Sequence, residues 1–133
     1  MGIIQSNFIT DWREDGKTLV EDTPLRQEEF LPSGVKAINL LKEEERSISG
    51  GEFVKRAKGG VCLGQRHAEA FQKYLGIIGS ELGEGFIAFP GTVWLDDEGL
   101  YIPCLCVGRV HCSLILVSLG STLGHNFYVL QSV

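Results

Sequence analysis

The stretch "TVWLDDEGLYIPCLCVGRVHCSLILVSL", Thr92 to Leu119, is apolar on both sides of any strand it can form. Alternation puts Leu100, Ile102, Cys104, Cys106, Ile115 and Val117 on one face. Tyr101, Leu105, Val107, Val110, Cys112, Leu114 and Leu116 fall on the other. A sheet with one solvated face would alternate apolar with polar side chains, so this hairpin belongs to a central layer that needs cover on both sides. One helix layer covers one face, which leaves the second to an amino-terminal segment, a second protomer or a ligand held in a curved sheet.

Turn chemistry divides the stretch into three antiparallel strands. Asp96 to Gly99 closes a loop that pairs Leu95 with Leu100 and Trp94 with Tyr101. Gly108-Arg109 fits a two-residue type II′ turn, which sets Cys106 opposite His111 and Cys104 opposite Ser113. "GFIAFPG" reads as a short strand closed by Pro90-Gly91, and "GSTLGH" as a loop. The final "NFYVLQSV" has no charge or Pro to protect a free edge, so it is expected to dock inside the sheet or across a dimer interface.

Helical spacing is clearest from about Gln65 to Leu82, where Ala68, Phe71, Leu75, Ile78 and Leu82 step by three and four residues. Ser33 can cap a shorter helix from Gly34 to Arg46, with Gly50-Gly51 ending that unit. "EFVKRAKGGVCLG" reads as a strand or short hairpin, and Asp15-Gly16 as a hairpin turn within Asn7 to Asp22. Pro24 and Pro32 mark a linker-like segment. The expected fold is α+β: an antiparallel sheet of about four to six strands, with a C-terminal meander, packed against one long and one shorter helix. All of 1–133 is read as one domain, with hairpin and linker in 1–33, the helical part in 34–82 and the sheet in 86–133.

Composition narrows the function classes. The formal charge is -5, which opposes general nucleic-acid binding, although residues 51–75 carry three more positive than negative charges. Lys55, Arg56, Lys58 and Arg66 are the candidate anion-binding set of that region. The opening residues have neither a basic start nor a continuous apolar run, and the longest apolar stretch is too short to span a bilayer, so a cytoplasmic protein without a membrane role is expected. Four cysteines are too few for a disulfide scaffold in 133 residues.

His67, Glu69, Pro103 and Cys104 resemble the H-x-E and P-C-x-x-C halves of the zinc deaminase signature. The next cysteine is Cys106, however, and P-C-x-C sits in a β-branched run instead of opening a helix. A different zinc set, Cys104, Cys106 and His111 on one sheet face with His67 from the long helix, has suitable ligand chemistry, but no cofactor is expected where Leu100, Ile102, Ile115 and Val117 share that face. The same residues would line a pocket if the chain held a small molecule or were an enzyme. The expected function is a non-catalytic binding or assembly module, a homodimer joined through an apolar sheet face, with a small-molecule protein or enzyme as the alternative.

Overall fold

The computed structural model describes residues 8–22, 35–58, 63–72, 85–108 and 112–132. Within them, strand β6 (Gly99–Val107) is the axis of a seven-stranded, mostly antiparallel sheet. On one side it pairs with β7 (Cys112–Ser118). On the other it pairs in succession with β4 (Gly85–Ala88) and β5 (Val93–Asp96). Ala88 faces Cys104 and Trp94 faces Tyr101, so six residues of one segment run past three of the other. Pro103, which has no N–H to give, lies at that interruption, and its carbonyl still accepts from Phe89 N–H at 2.9 Å.

Two further layers of pairing flank this axis. β1 (Thr18–Glu21) is antiparallel to β5. β9 (Phe127–Ser132) lies between β4, to which it is parallel, and β2 (Val35–Asn39), to which it is antiparallel. The carboxyl-terminal strand therefore docks inside the sheet, as its uncharged sequence requires. A separate two-stranded ribbon joins β3 (Ser47–Ser49) to β8 (Thr122–Gly124).

Both faces of the sheet are covered by the chain itself. Helix α1 (Gly50–Ala57) sets Phe53 and Ala57 against Ala88, Ile102, Cys104 and Val129. Helix α2 (Gln65–Gln72) sets Ala68 and Phe71 against Ile87, Leu105, Val107 and Leu130 on the opposite face. Each buried phenylalanine contributes roughly 1.5–3 kcal/mol. A second protomer or ligand is not required to close either of the two clusters.

The α+β class, the large mostly antiparallel sheet and the cross-strand pairs Trp94–Tyr101 and Leu95–Leu100 agree with expectation. Several local readings do not. The segment expected to form a helix from Gly34 to Arg46 contains β2, whose five residues all pair with β9. There Ala37 joins one core cluster and Ile38 the other, so long-range pairing overrides the helical spacing. The "helical part" 34–82 accordingly begins with strand, and Gly50-Gly51 opens a helix instead of ending one.

That helix is α1, in place of the strand or hairpin expected at "EFVKRAKGG". Ser49 Oγ accepts from Glu52 N–H at 3.1 Å, and the S-x-x-E order of Ser49 and Glu52 is a helix-start signal that imperfect alternation obscured. Asp15-Gly16 makes no hairpin: Trp12–Asp15 is a short 3-10 turn, Gly16 ends it at φ +83°, and β1 pairs with β5. "GSTLGH" holds strand β8.

The β6–β7 register is displaced by two residues from the one Gly108-Arg109 suggested, with Cys104 opposite Ile115 and Cys106 opposite Ser113. A two-residue slip keeps every side chain on its expected face. The connection is longer than a two-residue turn, and residues 109–111, His111 among them, lie outside the described ones. So does the expected continuation of α2 beyond Gln72.

The start of α1 yields a paired test. A Cβ at Gly50 would stand 2.5 Å from the Leu119 backbone, whereas one at Gly51 would meet nothing within 4 Å. Gly50→Ala should destabilise by about 1–3 kcal/mol. Gly51→Ala should stabilise by about 0.5–1 kcal/mol, and urea titration of the two variants measures both.

Candidate interaction surface

Helix α2 is buried almost all round, and the amino-terminal segment supplies partners for Gln65, Arg66 and Glu69. Glu69 accepts from Ile9 N–H at 3.1 Å and Thr10 N–H at 2.8 Å. Gln65 Nε2 donates to Thr10 O at 2.6 Å and to Glu69 Oε2 at 3.3 Å, while its Oε1 accepts from Trp94 Nε1 at 2.8 Å. Thr92 Oγ1 accepts from Gln65 N–H and donates to Asp22, both at 2.8 Å. Arg66 pairs with Asp22, and its guanidinium stands 4.3 Å from the centre of the Phe8 ring. Every group here that the sequence could offer to catalysis holds two segments of chain together.

The structure separates the residues proposed as a metal or pocket set. His67 is buried on α2, where its Nδ1 accepts from Gly64 N–H at 3.1 Å. Cys104 and Cys106 point to the face covered by α1, so the sheet stands between them and α2. Among the described residues no cluster of three or more His, Cys, Asp or Glu side chains could hold a metal ion. Burial pushes the Cys104 thiol well above its ordinary range and that of Cys112 up to about 11. Both stay protonated near neutral pH and are poor nucleophiles. Cys106 is half-buried beside an open depression of about 530 Å³ lined by Gly85, Phe86, Cys106, Val107, Gly108 and Asn126.

The candidate anion-binding residues are largely committed to carboxylates. Arg56 pairs with Glu45 at 2.7 Å and Glu52 at 2.8 Å, and donates to Leu40 O at 2.9 Å. Lys58 reaches Glu21 at 3.3 Å and Arg66 reaches Asp22, leaving Lys55 exposed on α1. The local positive excess read from the sequence is therefore mostly neutralised within the fold. Among the described residues no helix is long and apolar enough to cross a membrane.

A feature that sequence reasoning missed is the outer edge of β7. Leu119 N–H donates to Leu100 O at 2.8 Å, which makes that directly opposed pair a hydrogen-bonded one and sets the phase of the ladder. Ser113, Ile115 and Val117 then bond to β6, while Cys112, Leu114, Leu116 and Ser118 direct their backbone groups outward. Gln72 Nε2 donates to Cys112 O at 2.7 Å and Ser121 N–H to Ser118 O at 3.2 Å, so the outward carbonyl at each end of the edge is capped. Between the caps, among the described residues, nothing pairs with the N–H and C=O groups of Leu114 and Leu116. The strand "CSLILVS" is uncharged, and that signal was present in the sequence. The chain matches no protein-family model, no curated protein and no solved structure.

Two tests follow from the polar contacts. Glu69→Gln places an amide N–H₂ against backbone donors and should cost about 1–3 kcal/mol, with faster hydrogen exchange at Ile9 and Thr10. The Arg56 guanidinium, helped by the Lys42 N–H, holds Glu45 down at about 2 from its ordinary 4.5. A depressed carboxylate stabilises the fold above its unfolded value and loses that contribution as pH falls toward the folded one. Glu45→Gln should therefore weaken the fold at neutral pH and flatten its loss of stability between pH 4.5 and about 2, read from melting midpoints across that range.

Proposed function

We propose that this protein is a non-catalytic binding or assembly module whose working element is the edge of β7. The observation that carries the reading is an uncharged, half-buried strand with the outward backbone groups of Leu114 and Leu116 unpaired among the described residues. An open strand edge is a template for a further strand: the backbone supplies hydrogen bonds, and alternating side chains supply selectivity. Because α1 and α2 lie on the two faces of the sheet, the edge replaces the sheet face as the surface for association. The commitment of Arg56, Lys58 and Arg66 to carboxylates weighs against a nucleic-acid partner.

A second reading rests on the depression beside Cys106, where the Phe86 and Phe127 rings stack at 4.6 Å between centroids. An apolar small molecule would sit against those rings and the Cys106 side chain. The two readings separate in one titration by residue-resolved NMR. The probe is a synthetic peptide of residues 112–118 with Cys112 replaced by Ser and lysines added at both ends. Saturable shifts centred on Leu114 and Leu116 are expected below about 1 mM peptide. No response at those residues by that concentration would sink the edge reading, and shifts confined to Gly85, Phe86 and Cys106 would support the depression instead.

A further inference from the structure

We infer that the occupant of the β7 edge is the β7 edge of a second copy of this chain, in antiparallel register about a two-fold axis at Ile115. This rests on the edge reading above and names its partner. With the carbonyls of Cys112 and Ser118 engaged by Gln72 and Ser121, the outward acceptors left open among the described residues are those of Leu114 and Leu116, each with its own N–H beside it. An antiparallel pairing centred on Ile115 sets Leu114 of one copy against Leu116 of the other, twice over. Each such hydrogen-bonded pair exchanges two N–H···O bonds. The outward groups of Leu114 and Leu116 are thus complementary to those of a second copy.

Charge and side-chain fit favour the same partner. Centred on Ile115, the pairing sets Leu114 against Leu116 on the face that carries α2, and Ile115 against Ile115 on the face that carries α1. Ser113 stands opposite Val117 on that second face. A chain of net charge -5 repels its copy generally, but the strand from Cys112 to Ser118 carries no charge to oppose this contact. The other outer strands of the large sheet are guarded: β1 carries Glu21 and a register irregularity between Leu19 and Glu21, and β2 carries Lys36. Among the described outer strands of that sheet, β7 is the one without a charge, a Pro or a register irregularity. Such isologous contacts are the commonest way soluble chains form dimers.

The contact is short, about 17 Å for five residues, so it belongs to the weak class, with a dissociation constant on the order of 1–100 µM. The test is a sedimentation-velocity concentration series on the intact chain, with hydrogen exchange read at the Leu114 and Leu116 amides. Two variants accompany it. Leu116→Pro removes an outward N–H that the internal ladder does not use, and Leu116→Lys leaves the backbone intact but places charges beside the axis. The expected result is a monomer–dimer equilibrium, slowing of exchange at Leu114 and Leu116 as concentration rises, and dissociation constants at least tenfold higher in both variants, by about the margin of one lost charge-free contact. Melting midpoints should stay close to the parent at low concentration.

A chain that stays monomeric to about 0.5 mM with rapid exchange at Leu114 and Leu116 overturns the second-copy inference, and leaves the edge reading to the peptide titration. A monomer whose Leu114 and Leu116 amides exchange slowly overturns both, because the edge is then already occupied. A dimer that persists in both variants places the contact elsewhere and also overturns the inference.

Discussion

The rest of the structure depends on β6 being buried on both faces. Ile102 and Cys104 point one way and Leu105 and Val107 the other, and all four are nearly or wholly inaccessible. A strand of this kind is stable only as the middle of a three-layer arrangement, and the chain meets the requirement with one helix per face. β6 also carries strands along both edges, so β1, β9 and β2 reach the core through β5 and β4. Pro103 is tolerated at the centre of such a sheet because its missing donor falls at the junction of β4 and β5.

The second constraint is polar. Helix α2 brings Gln65, Arg66, His67 and Glu69 into the interior, and desolvating such groups unpaired would outweigh the apolar burial of Ala68 and Phe71. The segment Phe8 to Asp22 supplies partners for Gln65, Arg66 and Glu69: backbone N–H groups of Ile9 and Thr10, the carbonyl of Thr10 and the carboxylate of Asp22, while Gly64 N–H donates to His67. The same segment packs Phe8, tilted, and Trp12, edge-on, against Trp94, at 5.4 and 6.1 Å between ring centroids. Polar pairing and aromatic packing thus fix one segment in one place.

What the sequence disclosed follows from the range of each interaction. The β5–β6 hairpin was legible because Asp97 and Glu98 turn the chain between directly paired Trp94 and Tyr101. The docking of β9 was legible from its missing charges, a constraint that needs no knowledge of the partner strand. β2 was not, because Val35 and Ile38 fit a helix as well as a strand, and only pairing with β9 decides between them. The candidate site failed similarly: His67 and the cysteine pair were joined on the assumption that the helix crosses the cysteine face, and periodicity carries no information on which face a helix takes. The four basic residues looked like a patch because Glu21, Asp22 and Glu45, which pair with Lys58, Arg66 and Arg56, are distant in sequence or on another element.

Charge placement links the fold to its proposed use. The acidic excess is displayed at turns, where Glu43, Glu44, Asp97 and Glu98 are exposed, while Arg56, Lys58 and Arg66 are tied to acidic partners. Such a surface keeps copies apart by long-range repulsion and repels polyanions. Against that background an uncharged edge is the place where close approach costs least. Selection against aggregation acts on every exposed strand, so a bare edge persists where pairing there is useful or where its reach is limited. In β7 the reach is limited at both ends, by Gln72 on the Cys112 carbonyl and Ser121 on the Ser118 carbonyl, which shortens the run of free acceptors. An edge bounded in this way can join one strand and then stop, which distinguishes an assembly contact from an aggregation site.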